Sequence, residues 1–357
     1  MKLHSLEIKN FRAINDISLD FTDLLSRPRP INLIVGPNGS GKTSILDAIH
    51  VVVKVFENPK TPSLREGLEY NVQQLVRCRG NIAQIAFEYS IERDEAEAIN
   101  DVYSSLELDQ NFDLSNPVPP LESPAKVIWY YPNRKLNTKN LCDYDISPGN
   151  SIKVLGARGR ASQAISKNRQ TSQIFDRIGG VCYLDQRRTV RLFKSFNKQN
   201  QEDQNAHSDV LLWLNQYYRK DLTWNEEKYG ESYWKRVQRL FNKICFPSEL
   251  IGLESGPDSD TVILKRKSVE YDLLQMSSGE HQILRILVGL AADTAKNSIV
   301  LIDEVELHLH PAWQKRLIQV LRKDESNNQY IFTTHSPTVA EMFYDSEIIN
   351  LGELEEK

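Results

Sequence analysis

The sequence predicts an α/β fold: a mixed or parallel central sheet built from the two end segments, with a mainly helical subdomain inserted between them. Three observations carry this. The apolar run Ile31–Val35 ends directly in a glycine-rich turn, after which Ile45, Leu46, Ile49, Val52 and Val53 recur at helical spacing. Toward the other end, the short apolar runs Ile299–Ile302 and 330–333 flank an amphipathic stretch at 313–321, the β-α-β alternation of a parallel sheet. The middle differs in texture: 111–124 is rich in Pro, Ser and Asn, and 137–166 is polar with scattered glycines, which reads as loops or an insertion. The expected units are an N-terminal lobe at 1–110, an inserted basic and helical subdomain at 111–250, and a C-terminal lobe at 251–357.

In chain order, alternation at Leu3, Leu6 and Ile8 marks a first strand, residues 17–21 a second, and Ile31–Val35 a third. A further strand is expected at 82–91 and a short buried one at Val181–Leu184. Helical patterning returns from residue 209 to 245, where Tyr233, Val237, Leu240, Phe241 and Ile244 share one core-facing stripe. Residues 261–265 and 269–273 read as a hairpin that leads into Met276-Ser-Ser-Gly-Glu280 and then a helix at 281–294.

With 40% hydrophobic and 26% charged residues among 357, the composition is that of an ordinary globular protein. The four cysteines, Cys78, Cys142, Cys182 and Cys245, lack the close spacing of a zinc or redox site and read as reduced, buried thiols. No basic stretch followed by an apolar run opens the chain, and the longest apolar stretches fall short of the ~20 residues a membrane helix needs, so a cytoplasmic protein is expected. The net charge of −4 conceals an asymmetry: 126–200 holds fifteen Lys/Arg against four Asp/Glu, while 88–122 is acidic, with Arg93 its single basic residue. The basic segment is either a surface for a nucleic-acid backbone or a patch that meets the acidic one.

Four motifs carry chemistry. Gly36-Pro-Asn-Gly-Ser-Gly-Lys-Thr43 matches G-x-x-x-x-G-K-[ST] in its required setting, a strand before and a helix after. Gly36, Gly39 and Gly41 let backbone N–H groups, with those of Asn38, Ser40 and Ser44, wrap phosphates at a helix N-terminus. Lys42 would reach the β- and γ-phosphates of ATP, and the Thr43 hydroxyl would bind Mg²⁺. The strand Ile299–Ile302 ends in Asp303, placed to hold Mg²⁺, and Glu304, placed to orient or deprotonate an attacking water. Ser277, Ser278 and Gly279 open a second helix and so form a second anion site, or merely an N-cap. His335, just beyond the run 330–333, is placed to sense a γ-phosphate.

In this order the four motifs resemble the ABC-type ATPase superfamily. The long gap between Lys42 and Ser277 resembles its chromosome-maintenance and DNA-repair branch. The resemblance implies an ABC-type head in which two copies pair head to tail, so that Ser277 to Gly279 of one copy meet the nucleotide on Lys42 of the other. The usual signature is L-S-G-G-Q; here Met276, Ser278 and Glu280 replace the Leu, the first Gly and the Gln. Lys9-Asn-Phe-Arg12 is similar to the opening of repair-type ATPases, which implies that Arg12 approaches the nucleotide, against a reading as a surface turn. Gln186 would link Mg²⁺ to the inserted lobe, with Gln84 as a competitor.

Asp303-Glu-Val-Glu-Leu-His-Leu-His-Pro311 resembles the D-E-P-E-x-x-L-H-P run of the overcoming-lysogenisation-defect family and of Septu-type defence ATPases, with Val305 in place of the proline. His308, His310 and His335 suggest either a metal site or a loop that communicates across a dimer. Members of that family often carry a C-terminal nuclease domain, for which the residues after His335 leave no room. The resemblance therefore implies an ATPase homodimer that works with a separately encoded nuclease or other effector in antiphage defence. The alternatives are a DNA-repair clamp that uses the basic segment, and a transporter ATPase with a membrane partner.

Overall fold

A computed structural model of the chain describes residues 1–57, 75–78, 80–106, 123–135, 142–186, 206–256, 260–291 and 296–352. Strands β1 (Lys2–Phe11), β2 (Ile14–Asp20), β4 (Ala83–Ser90), β5 (Ala125–Tyr131) and β6 (Asp143–Ser147) form an antiparallel sheet in the order β2-β1-β4-β5-β6. A second sheet runs β13 (Ile348–Asn350), β3 (Ile31–Val35), β12 (Gln329–Thr334), β11 (Ile299–Ile302) and β7 (Val181–Leu184), with every neighbouring pair parallel. A smaller antiparallel sheet joins β8 (Ser248–Ser255), β9 (Asp260–Arg266) and β10 (Val269–Asp272).

Strands of the parallel sheet are apolar at consecutive positions because both faces are covered. On one face Ile34, Leu301 and Ile331 enter a core shared with the antiparallel sheet and with helices α1 (Lys42–Glu57), α2 (Arg93–Leu106) and α3 (Ile152–Ser166). On the other, Leu33, Val300, Ile302 and Phe332 pack with α4 (Ala206–Asp221), α6 (Tyr233–Cys245), α7 (Ser278–Ala291) and α8 (Pro311–Arg322). The four-residue helices α5 (Glu226–Tyr229) and α9 (Pro337–Ala340) lie between these elements in sequence. Helix α1 is buried over nearly its whole length, from Lys42 to Glu57, between the two large sheets.

The span 111–250, expected as one inserted unit, is divided. Its first part supplies β5, β6, α3 and β7 to the two large sheets and their shared core, while α4 and α6 pack against α7 in the second core. The loops expected at 137–166 are, over the described residues 142–166, strand β6 and helix α3. Of the glycines that read as loop punctuation, Gly156 and Gly159 are contact glycines: a Cβ on Gly159 would lie 1.6 Å from the Glu57 carbonyl oxygen of α1. Close helix contact, not a turn, requires glycine there. Residues 111–122 and 136–141 and the basic residues between 187 and 200 lie outside the described residues.

Three of the described basic residues, Lys126, Arg134 and Arg177, meet the chain's own acidic ones. Lys126 lies 3.4 Å from both Glu7 and Glu88, Arg134 pairs with Asp143 and Asp145 at 2.9 Å, and Arg177 pairs with Asp94 of α2 at 2.8 Å. Arg158 is buried, its guanidinium donating to the Ile178 carbonyl and lying over the Phe175 ring. All four cysteines are free thiols. Cys142 and Cys245 are buried, but Cys182 is half-buried and Cys78 exposed, which corrects the expectation that all four are buried. Among the described residues no helix is long and apolar enough to cross a membrane.

Candidate functional site

The parallel sheet brings the scattered motifs to one edge. Strand β3 delivers the glycine-rich turn, its neighbour β12 delivers His335, and β11, one strand further, delivers Asp303 and Glu304. In α/β sheets ligands gather beyond the carboxyl ends of the strands, and all three elements end on that side.

Gly39 and Gly41 hold φ angles of 82° and 90°, a left-handed backbone that glycine adopts at little cost. A Cβ on Gly36 would lie 2.6 Å from the Ser40 Oγ, so the turn packs closely over Gly36. The Ser40 Oγ is buried and has no hydrogen-bond partner among the described residues. The Lys42 ammonium donates to the carbonyl oxygens of Gly36 at 2.7 Å and Pro37 at 2.9 Å, which folds its side chain over the turn. Asn38 and Gly39 are exposed at the tip, while Ser44 is buried in the first turn of α1.

Thr43 and Asp303, 260 residues apart, meet here. The Thr43 hydroxyl donates to Asp303 Oδ2 at 2.9 Å, and the Asp303 side chain is all but excluded from solvent. Thr333 donates its hydroxyl to Asp303 Oδ1 at 2.5 Å and accepts the Glu304 N–H at 2.8 Å. Glu304 has φ 44°, an unfavourable angle for a side-chain-bearing residue, and this hydrogen bond helps to hold it. The next N–H, of Val305, donates to the Thr333 carbonyl at 3.1 Å. Proline, usual at this place in the resembled run, has no N–H and could not make that bond. Glu306 Oε1 accepts from the His335 backbone N–H at 2.9 Å and lies 3.0 Å from its Nδ1.

The second helix start is a capping box, S-x-x-E, with Ser277 at the N-cap. Glu280 Oε2 accepts from the Ser277 backbone N–H at 2.8 Å and hydroxyl at 2.9 Å, while the Ser277 oxygen accepts the Glu280 N–H at 3.3 Å. Tyr271 of β10 donates to the other oxygen, Glu280 Oε1, at 2.6 Å. Burial would raise the Glu280 pKa, yet hydrogen bonds from Ser248, Tyr271 and Ser277 outweigh it and hold the carboxyl below its ordinary value. Burial and the same hydrogen bond push the Tyr271 phenol up to about 12. The glutamate that replaces the usual signature glutamine is thus the helix cap. Ser277 and Ser278 stay exposed, whereas Gly279 is packed tightly: its Cβ would lie 2.8 Å from the His308 carbonyl oxygen and 3.1 Å from the Trp313 ring.

Arg12 sits in the tight turn between β1 and β2 with φ 49°, and its guanidinium pairs with the buried Asp47 of α1. It is a turn residue tied to the helix that follows Lys42. Gln186 is exposed two residues past β7, on the same sheet edge as Asp303, since Leu184 is the register partner of Ile302. Gln84 lies instead inside β4 of the antiparallel sheet, away from that edge. His310 accepts the Ala312 N–H as the N-cap of α8, and among the described residues no three His, Cys, Asp or Glu side chains cluster as a metal site.

Thr333, Glu306, Tyr271 and Asp47 were not singled out from the sequence. Thr333 and Glu306 carried a usable signal, as each lies within two residues of a chosen one. Asp47 and Tyr271 carried none short of the fold.

A family model described as an AAA ATPase domain matches residues 1–233, well over half of the chain. The chain belongs to this family. A second AAA domain model, described for the AbiEii toxin of type IV toxin–antitoxin systems, matches residues 190–341. This AAA ATPase is 24% identical over 400 residues to the "Retron Ec83 probable ATPase" of Escherichia coli, covering 95% of this chain and 69% of that protein. It is 23% identical to the Septu protein PtuA of Bacillus thuringiensis, over 98% of this chain and 76% of that one. Its fold is that of an ABC-type SMC head: it matches the SmcHead bound to the C-winged helix domain of ScpA with a TM-score of 0.54 at 15% identity, over 96% of this chain and 92% of that one. The expected fold class and kinship with defence ATPases are borne out, and ATP hydrolysis is the activity of the family.

Proposed function

We propose that this AAA ATPase binds ATP and Mg²⁺ at the turn 36–44 and Asp303, closes as a head-to-tail homodimer, and reopens on hydrolysis to gate a separately encoded nuclease or other effector in antiphage defence. The observation that carries the site is the Thr43–Asp303 hydrogen bond at 2.9 Å. It brings a hydroxyl and a carboxylate together at the end of a phosphate loop, a hard-oxygen donor set suited to Mg²⁺, to which Gln186 on the same edge would add an amide oxygen. The buried Ser40 hydroxyl, without a hydrogen-bond partner among the described residues, is a further polar group that a bound phosphate would satisfy. Mg²⁺ bound there would neutralise charge on the β- and γ-phosphate oxygens.

The residues of the chain then divide the work. Lys42 would exchange the Gly36 and Pro37 carbonyls for the β- and γ-phosphates, with the amides of the turn and of Ser44 donating alongside it. Glu304, held by Thr333, would orient the attacking water and accept its proton. His335 would contact the γ-phosphate, and Arg12, anchored by Asp47, would approach the nucleotide from the β1–β2 turn.

Head-to-tail pairing is supported by two features. One chain has two phosphate-binding helix starts, and the second, at Ser277 to Gly279, abuts His308 and Trp313 while leaving both serines exposed for a partner's nucleotide. The defence role is supported by the retron and Septu relatives. A DNA-clamp role has less support, because Lys126, Arg134 and Arg177 of the basic segment are held in ion pairs within the chain.

Glu304→Gln should bind ATP without hydrolysing it and elute as a dimer in size-exclusion chromatography with light scattering. A monomeric variant at saturating ATP would rule out the head-to-tail arrangement.

A further inference from the structure

We propose that Glu306 is a positioning residue for His335: its carboxylate grips the backbone N–H and the Nδ1–H of that histidine together, fixing the ring so that Nε2 is the atom presented to the γ-phosphate. This inference rests on the reading of His335 as the γ-phosphate contact.

Four observations carry it. Glu306 Oε1 accepts the His335 backbone N–H at 2.9 Å and lies 3.0 Å from Nδ1 of the same residue, so one oxygen stands against both the chain and the ring. The Glu306 side chain is 9% exposed while the His335 side chain is 47% exposed, so the pair has an inner, fixed member and an outer, working one. Glu306 Oε2 is buried with no hydrogen-bond partner among the described residues, which leaves His335 as the hydrogen-bonding partner of the carboxylate. Finally, the Glu306 backbone is itself held. Its carbonyl accepts the Leu309 N–H at 2.9 Å, and the preceding N–H, of Val305, is tied to the Thr333 carbonyl at 3.1 Å.

A carboxylate kept nearly out of water is costly unless its hydrogen bonds repay it, and here they go to one exposed histidine. Which ring nitrogen of a histidine is free is set by the hydrogen bond that the other one makes. With Nδ1–H given to Glu306, Nε2 is left to accept from the attacking water when the ring is neutral, or to donate to a phosphate oxygen when it is protonated. A chain without this contact would let the ring rotate and present either nitrogen, and a misplacement of about 1 Å at a reacting centre costs on the order of 100-fold in rate.

The test uses the full chain with ¹⁵N-labelled histidine and the variants Glu306→Ala, Glu306→Gln and His335→Ala. At about pH 8.5, where histidine rings are neutral, long-range ¹H–¹⁵N correlation of His335 should show the Nδ1–H tautomer in the wild type and in Glu306→Gln, whose amide oxygen still accepts both N–H groups. Glu306→Ala should show Nε2–H, with kcat lowered by about 10- to 100-fold and KM for ATP within about twofold, as expected when only a transition-state contact is lost. Glu306→Gln should recover most of that rate. The Nδ1–H tautomer in Glu306→Ala overturns the proposal, as does a wild-type kcat for that variant when His335→Ala is itself slowed. If Glu306→Ala does not fold, the isosteric Glu306→Gln decides: Nδ1–H upholds the grip and Nε2–H overturns it. Should His335→Ala hydrolyse ATP at the wild-type rate while the tautomers are as expected, the γ-phosphate role of His335 falls and the grip itself stands.

Discussion

Thr333 holds both carboxylate-bearing residues at the end of β11 with one hydroxyl, donating to Asp303 at 2.5 Å and accepting the Glu304 N–H at 2.8 Å. Valine has the same shape without the hydroxyl. Thr333→Val therefore leaves a buried carboxylate oxygen and an N–H unpaired, each costing about 1–3 kcal/mol. The expected outcome is a lower urea midpoint together with a kcat reduced about tenfold or more, ~1.4 kcal/mol in barrier. Thr333→Ser keeps the hydroxyl and should stay within about threefold of the wild type. Equal rates for the valine and serine variants would show that the hydroxyl plays no part in placing Glu304.

The close packing of Gly279 yields a second prediction. Alanine there puts a carbon 2.8 Å from the His308 carbonyl oxygen, and His308 at φ 59° has little freedom to yield. The start of α7 must then move away from the 304–311 loop, at a cost of roughly 1–3 kcal/mol for overpacking. Gly279→Ala should bind a fluorescent ATP analogue at its own Lys42 turn with near wild-type affinity, yet fail to dimerise on ATP in the Glu304→Gln background. Unimpaired dimerisation would remove the 277–279 turn from the interface.

Much of this site was legible in the sequence because it is built from local patterns. The turn 36–44 needs glycines at fixed offsets, β11 announces itself by four apolar residues before two acids, and S-x-x-E names a helix start whatever else it does. Helix α3 was missed for an equally local reason: Gly156 and Gly159 break its pattern, and their meaning lies in α1, about a hundred residues earlier. Strand order was the other hidden quantity. Gln84 and Gln186 look alike as residues after or within a strand, and only the pairing of β7 with β11 separates them. Thr333 was legible only as the end of the apolar run 330–333, since a hydroxyl's partners lie across the sheet and not along the chain.

The Glu280 cap gives a pH dependence with a definite sign. Its carboxyl titrates below the ordinary value in the folded chain, so it binds fewer protons there than when unfolded. Its contribution is present in full above the ordinary glutamate pKa of about 4.3 and is lost as pH falls through the folded value. Glu280→Gln should lower the urea midpoint at neutral pH, losing on the order of 1 kcal/mol of cap. The gap between variant and wild type should close on acidification below about pH 4. A gap that is constant from neutral pH to about pH 3 would mean that the carboxylate charge contributes nothing to the cap.

The basic segment provides the last prediction. Arg134 is paired with Asp143 and Asp145, and Arg177 with Asp94 and, at 3.6 Å, Asp101, so neither side chain is an unpaired charge waiting for phosphate. Engaging a nucleic-acid backbone would mean breaking these pairs, and the exchange of one carboxylate for one phosphate leaves little net gain. Each phosphate contact that a protein makes contributes about −0.9 to the slope of log K against log salt on duplex DNA. Any DNA affinity of the purified chain should therefore keep its salt slope in the double variant Arg134→Ala with Arg177→Ala, as measured by fluorescence anisotropy from about 50 to 200 mM salt. A slope shallower by about 2 would mean that these arginines do leave their carboxylates for phosphate, and the clamp reading would gain what the ion pairs now take from it.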